Sequence, residues 1–160
     1  MLQVKIVAVG KIREKFIQDG IREYVKRLGP YIKLSIIEVA DESCPDRPIA
    51  AEEDRVKHRE GERILRMLGP QDYVILLDLA GKQHTSEKMA AFIAELTLGG
   101  KSSLAFVTGG SIGVSPSVRE RADFRWSFSN LTFPHALIRL MLLEQLYRCM
   151  KICAGEPYHK

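Results

Sequence analysis

At 160 residues, with 46% hydrophobic content, the chain is long enough for one domain with a real core and too short to expect two. No apolar run approaches the roughly 20 residues of a membrane span, and the brief apolar start MLQVKIVAVGK lacks a signal peptide's longer core and cleavage site, so a cytoplasmic protein is expected. The net charge is +4 and unevenly spread. Residues 1–34 hold eight Lys/Arg against three Asp/Glu, residues 119–160 hold seven against four, and the middle is net acidic. Basic ends point to a polyanionic partner, nucleic acid first, although the same charge suits a merely soluble basic protein nearly as well.

In chain order, Leu2–Val9 alternates as a strand does and stops at Gly10. A basic loop with Lys11, Arg13 and Lys15 leads into a helix reaching about Leu28. Its expected core face is Phe16, Ile17, Ile21, Tyr24, Val25 and Leu28, with Lys15, Arg22 and Lys26 opposite. Gly29-Pro30 ends it. Leu34–Val39 is a second strand and Asp41–Pro48 a loop. Residues 50–68 form a helix with five acidic and five basic residues between Glu52 and Arg66, the signature of a solvated face. Tyr73–Leu79 is nearly all apolar, as a strand covered on both faces would be, and Ala80–His84 reads as a loop. Thr85 or Ser86 caps a helix to about Leu98. A strand at 103–107 empties into Thr108-Gly109-Gly110-Ser111-Ile112-Gly113. Pro116 opens a short helix, Phe124–Phe128 is a further strand, and Pro134 opens a long helix to about Cys153. Strands alternating with helices predict a single α/β layered domain over residues 1–160 with a mostly parallel sheet.

In such sheets ligands bind beyond the carboxyl ends of the strands. Three ends here are rich in glycine and hydroxyl residues: Leu77–Gly81, Thr108–Ser111 and Ser127–Leu131. Their glycines admit close backbone approach, and Leu77, Ile112, Leu131 and Phe133 supply apolar surface for a flat ring. No Gly-Lys-Ser/Thr follows the glycines, so this is not a phosphate loop, and a Gly-Gly pair alone is more often a plain turn. The last helix is apolar nearly all round, which fits either a homodimer interface or a central core helix. Glu144 and Arg148 have the order of a local ion pair, and the arginines of this helix are also placed to grip phosphates. Cys149 and Cys153 share a helical face without further ligands at metal spacing, so packing is expected and no metal. His58 and His84 read as surface residues. The ending Tyr158-His159-Lys160 suits an unpaired base, since both rings can stack on one.

Taken together, Val7-Ala8-Val9-Gly10-Lys11, the Gly109-Gly110 loop, Thr132-Phe133-Pro134-His135 and Tyr158-His159-Lys160 resemble the ribosomal RNA large-subunit methyltransferase H family of the SPOUT superfamily, over essentially the whole chain. The resemblance implies a C-terminal trefoil knot, a homodimer, and transfer of methyl from S-adenosylmethionine to N3 of a pseudouridine in a hairpin loop of large-subunit (23S) ribosomal RNA on assembled ribosomes. It implies a cofactor site at Leu77, Gly109, Phe128, Ser129, Asn130, Leu131, Thr132 and Phe133. The acceptor imide must lose a proton, which assigns His159 and Arg139 as base or anion-stabilising cation and Tyr158 as orienting group. Arg148 and Lys160 are expected on phosphates, Glu144 as an orienter of an arginine, and Lys11, Arg13, Lys15, Arg22 and Lys26 as an RNA platform. The rival readings are a non-catalytic RNA- or ribosome-binding module and a ribose 2′-O-methyltransferase of the same superfamily.

Overall fold

The computed structural model describes residues 1–159. Five strands and five helices alternate: β1 (Leu2–Val9), α1 (Lys15–Leu28), β2 (Ile32–Val39), α2 (Ala50–Arg66), β3 (Tyr73–Gln83), α3 (Ser86–Leu98), β4 (Ser103–Thr108), α4 (Pro116–Arg121), β5 (Phe124–Ser127) and α5 (His135–Cys153). The sheet order is β2-β1-β4-β3-β5 and every pairing is parallel.

The strand alternation sorts the core into two halves. Val4, Ile6, Ile75, Leu104 and Phe106 point to one face, where Leu28 of α1, Met89 and Ile93 of α3, and Leu142, Leu143 and Leu146 of α5 cover them. Val7, Val9, Val74, Leu76, Ala105 and Val107 point to the other, under Ile64 of α2 and Val118 of α4. Burial on both faces is why β3 and β4 read as unbroken apolar runs. The loop after β4 therefore leads to a helix on one face, while those after its neighbour β3 and after β5 lead to helices on the other. Loops that part in this way open a crevice at the carboxyl edge of the sheet.

Local signals act as read. Thr85 Oγ1 accepts from Lys88 N at 3.1 Å, and Ser115 caps α4 ahead of Pro116. Glu144 and Arg148 form the local pair, 2.5 Å apart. Other expectations need correction. Phe16 is 70% exposed and Val25 is also exposed, because only Ile17, Ile21, Tyr24 and Leu28 of α1 turn inward. Ala80–Gln83 belongs to β3, which resumes its pairing with β5 after an irregularity between Leu77 and Lys82. His84 is half-buried, its ring 5.2 Å from that of Phe124. The charged helix α2 is not wholly solvated, since Glu60 is 5% exposed. One chain packs α5 against α1, α3 and the sheet, burying Ala136, Leu142, Leu143, Leu146 and Cys149, while Leu137, Ile138, Leu140, Met141, Tyr147 and Met150 stay half-buried.

Candidate active site

Three strand ends converge on a cleft of about 440 Å³. At the end of β3, Asp78 Oδ1 accepts from Ala80 N at 3.0 Å and turns the chain. Gly81 then passes β5 so closely that a Cβ there would sit 2.6 Å from the Arg125 carbonyl, and only glycine allows that approach. At the end of β4, Gly113 N donates to Gly110 O at 3.2 Å, with Gly113 at φ +95°, closing the glycine loop on itself. After β5, Ser127 Oγ donates to Ser129 O, and Ser129 Oγ accepts from Leu131 N, both at 3.1 Å. Leu77, Gly109, Phe128, Ser129, Leu131, Thr132 and Phe133 line this cleft. Asn130 instead accepts from Gln83 Nε2 at 2.8 Å through its Oδ1.

Asp78, Thr108 and Ser127, which stand inside the three strand ends singled out from the sequence, also line the cleft, and so do Arg119, Trp126, His135 and Ile138, to which the sequence assigned no site role. Asp78 stands inside a strand end already marked as suggestive, and His135 inside the Thr-Phe-Pro-His run. Arg119 carried no signal, because a lone arginine on the short helix that follows the glycine loop reads as a solvated surface residue. The lining suits a nucleoside-bearing ligand: Leu77, Phe128, Leu131 and Phe133 offer apolar walls, hydroxyls and free backbone groups lie between them, and Asp78 Oδ2 is buried with no hydrogen-bond partner among the described residues.

A second cleft, lined by His84, Thr85, Ser86, Met141, Glu144 and Gln145, shares the wall Trp126 and Phe128 with the first. The chain end gathers at its rim. Tyr158 donates to Glu144 Oε1 at 3.1 Å, and the Arg148 guanidinium lies 4.8 Å from the Tyr158 ring centre. Arg148 Nη1 is 3.1 Å from His159 Nδ1, and His159 Nε2 is 2.6 Å from Glu87 Oε1. Since arginine only donates, Nδ1 is the acceptor and Nε2 carries the proton given to Glu87. Burial, with Tyr24 and the Glu144 carboxylate beside it, pushes the Tyr158 phenol well above its ordinary value. Tyr158 is therefore a donor and not a base. Neither Tyr158 nor His159 lines the first cleft.

Arg139 is placed elsewhere. It is 2% exposed, pairs with Glu38 at 2.7 Å and donates to Val9 O and Gly10 O at 2.9 Å. All three bonds go to the carboxyl ends of β1 and β2, so the guanidinium fastens α5 to the sheet and does not reach the cleft. Lys11, Arg13, Lys15, Arg22 and Lys26 are all exposed; Arg22 pairs with Asp19, and the other four have no ion pair among the described residues. Lys160 lies outside the described residues.

A family model described as a predicted SPOUT methyltransferase matches residues 2–159. The chain is 64% identical to the ribosomal RNA large subunit methyltransferase H of Desulfitobacterium hafniense, over the full length of both proteins. The chain belongs to this SPOUT methyltransferase family. It is also 54% identical to the protein of the same name from Carboxydothermus hydrogenoformans, over 99% of this chain and all of that one. A solved structure of a probable methylase family protein from Haemophilus influenzae superposes with a TM-score of 0.53, covering 98% of this chain and 70% of the other. At 12% identity that likeness shows the fold alone. No helix is long and apolar enough to cross a membrane among the described residues, and no group of three His, Cys, Asp or Glu among them is placed to hold a metal ion. In this SPOUT protein the cleft and the chain end thus sit on opposite sides of the Trp126–Phe128 wall.

Proposed function

We propose that the chain methylates large-subunit ribosomal RNA from S-adenosylmethionine, at N3 of a pseudouridine in a hairpin loop of the assembled ribosome. The observation that carries this reading is the cleft at the ends of β3, β4 and β5, which seven of the eight expected cofactor residues line in a chain of this family. The relatives named for ribosomal RNA methylation share the full length of the chain, which supports the substrate class.

When bound, the cofactor supplies a sulfonium-activated methyl group. Everything else falls to the protein. The loops Thr108–Gly113 and Ser127–Phe133 hold the ligand through backbone groups, so side-chain identity at Ser129 or Thr132 matters less than loop shape. Leu131, which is 67% exposed, becomes covered. Tyr158 and His159 stand across the Trp126–Phe128 wall from their own chain's cleft, so in a homodimer the tail of one protomer completes the cleft of the other. There Tyr158 donates a hydrogen bond and orients the base. His159 accepts the imide proton at Nδ1 once Arg148 leaves that nitrogen, and the freed Arg148 stabilises the imide anion. Arg139 is a positioning residue that keeps α5 in place. The basic N-terminal side chains and Lys160 contact phosphates. The same reading carries a trefoil knot, a cytoplasmic location with the ribosomes, and a homodimer in which exposed Phe16 and Val25 of α1 are surface for a second chain.

Two measurements test it. Calorimetric titration with S-adenosylmethionine should give saturable binding that Gly109→Trp abolishes, because even a Cβ at Gly109 would lie 2.6 Å from Val114 Cγ1. Mass analysis of nucleosides from ribosomes treated with the protein and donor should show one methyl on the pseudouridine base. A methylated ribose, or binding to ribosomes without methyl transfer, would replace this reading with one of its rivals.

A further inference from the structure

Among the described residues, Asp78 and Arg119 are the cleft's only lining side chains with fixed charges, one of each sign. The Asp78 side chain is 10% exposed. Its Oδ1 is used by Ala80 N, while Oδ2 is sheltered from solvent without a hydrogen bond among the described residues. Buried carboxylate oxygens are ordinarily bonded, so an open one beside a ligand-sized cleft marks a place for a donor. Two guanidinium groups stand near it, Arg119 Nε and Arg125 Nη1, each 3.6 Å from Oδ2. They attract the carboxylate from too far to hydrogen-bond it. Arg125 is not part of the cleft lining, whereas Arg119 is, and the Arg119 side chain is 45% exposed.

We infer that Asp78 and Arg119 hold the amino-acid end of the methyl donor, Asp78 taking its ammonium and Arg119 its carboxylate. This rests on the reading of the cleft as an S-adenosylmethionine site. Charge matching carries the assignment. Inserting a zwitterion between the two residues opens one loose ion pair and closes two hydrogen-bonded ones. The ammonium satisfies Oδ2, Arg119 turns outward onto the carboxylate, and Arg125 stays beside Asp78 throughout. The uncharged nucleoside end is left to the apolar walls.

The test is calorimetric titration of the full chain with two ligands. One is S-adenosylhomocysteine; the other is 5′-methylthioadenosine, a nucleoside thioether that lacks the amino-acid end. Asp78→Asn and Arg119→Gln should each weaken the first by about tenfold or more, the scale of a lost charge-assisted hydrogen bond, and the second by less than about threefold. Equal weakening of both ligands by Asp78→Asn would move Asp78 to the ribose and overturn the assignment, as would no weakening of either. Thermal unfolding checks that the variants fold. If Asp78→Asn does not, Arg119→Gln decides alone, since its side chain is largely at the surface. Wild-type protein that binds neither ligand would remove the cofactor reading itself; wild-type binding with unchanged variants removes only this inference.

Discussion

Glu60 shows what a single residue can conceal in a charged helix. Its charged neighbours on α2 are exposed or half-buried, but Glu60 is buried: Oε2 accepts from Glu42 N at 3.0 Å and Oε1 has no partner among the described residues. That orphan oxygen lies against the glycine loop, 2.7 Å from where a Cβ of Gly110 would be. Burial raises its pKa, with Asp41 and Glu42 adding to the rise and the Glu42 N–H and Arg63 opposing it. A raised folded pKa means the favourable state is the neutral one. Its contribution is full below the unfolded value of about 4.3 and is lost as pH rises through the folded value. Glu60→Gln keeps the acceptor for Glu42 N and removes the charge. It should raise the melting temperature at pH 8 by about 2–4 °C, roughly 1 kcal/mol, and leave it unchanged at pH 4; a lower melting temperature at pH 8 would show that the ionised form has a partner. Tyr158 makes the complementary case. Its raised phenol predicts no ionisation of this group in the pH–rate profile below about pH 9. Tyr158→Phe should keep the packing on Tyr147 and Arg148 yet lower kcat/KM by about tenfold, the scale of one hydrogen bond to a charged group.

At the scale of elements, β3 and β5 set the shape of the cleft. Their pairing is interrupted after Leu77 and resumes at Lys82, and Asp78, Leu79 and Ala80, which lie in the interruption, form one wall of the cleft. Gly81 holds the returning strand against Arg125 and Trp126. Gly81→Val should push the two strands apart and weaken cofactor binding by more than tenfold with a smaller loss of stability; titration and thermal unfolding of the same sample separate the two effects. Reading Ala80–His84 as a loop missed this, because glycine and lysine after an apolar run look like a strand end. The strand continues only because β5 is there to pair with it.

For the whole molecule, α5 is the element that sequence left undecided. Its all-round apolarity fitted a dimer interface or a core helix, and α1 and α3 flank it within one chain. If the chain pairs with a second copy through the exposed Phe16 and Val25 of α1, sedimentation should show the wild type as a dimer and Phe16→Glu as a monomer. The exposed basic groups of the first helix and its loop predict ribosome binding that falls steeply with salt. Lys15→Ala and Lys26→Ala should each weaken it and reduce the log–log slope by about 1.

Sequence by itself determined the alternating α/β order, the helix stops at Gly29-Pro30 and Gly99-Gly100, the three chemically rich strand ends and the resemblance carried by residues from Val7 to Lys160. Those features are local: propensity, periodicity and turn chemistry act over a few residues, and a family likeness is a matter of residue order. Tertiary structure alone decided that Arg139 is spent on the ends of β1 and β2, that Asp78 and Arg119 meet in one cleft, that His84 and Glu60 are sheltered, and that His159 lies between Arg148 and Glu87. These depend on which strands are neighbours and which face each helix covers. Contacts such as Arg139 with Val9 cross most of the chain, and no periodicity within one segment encodes them.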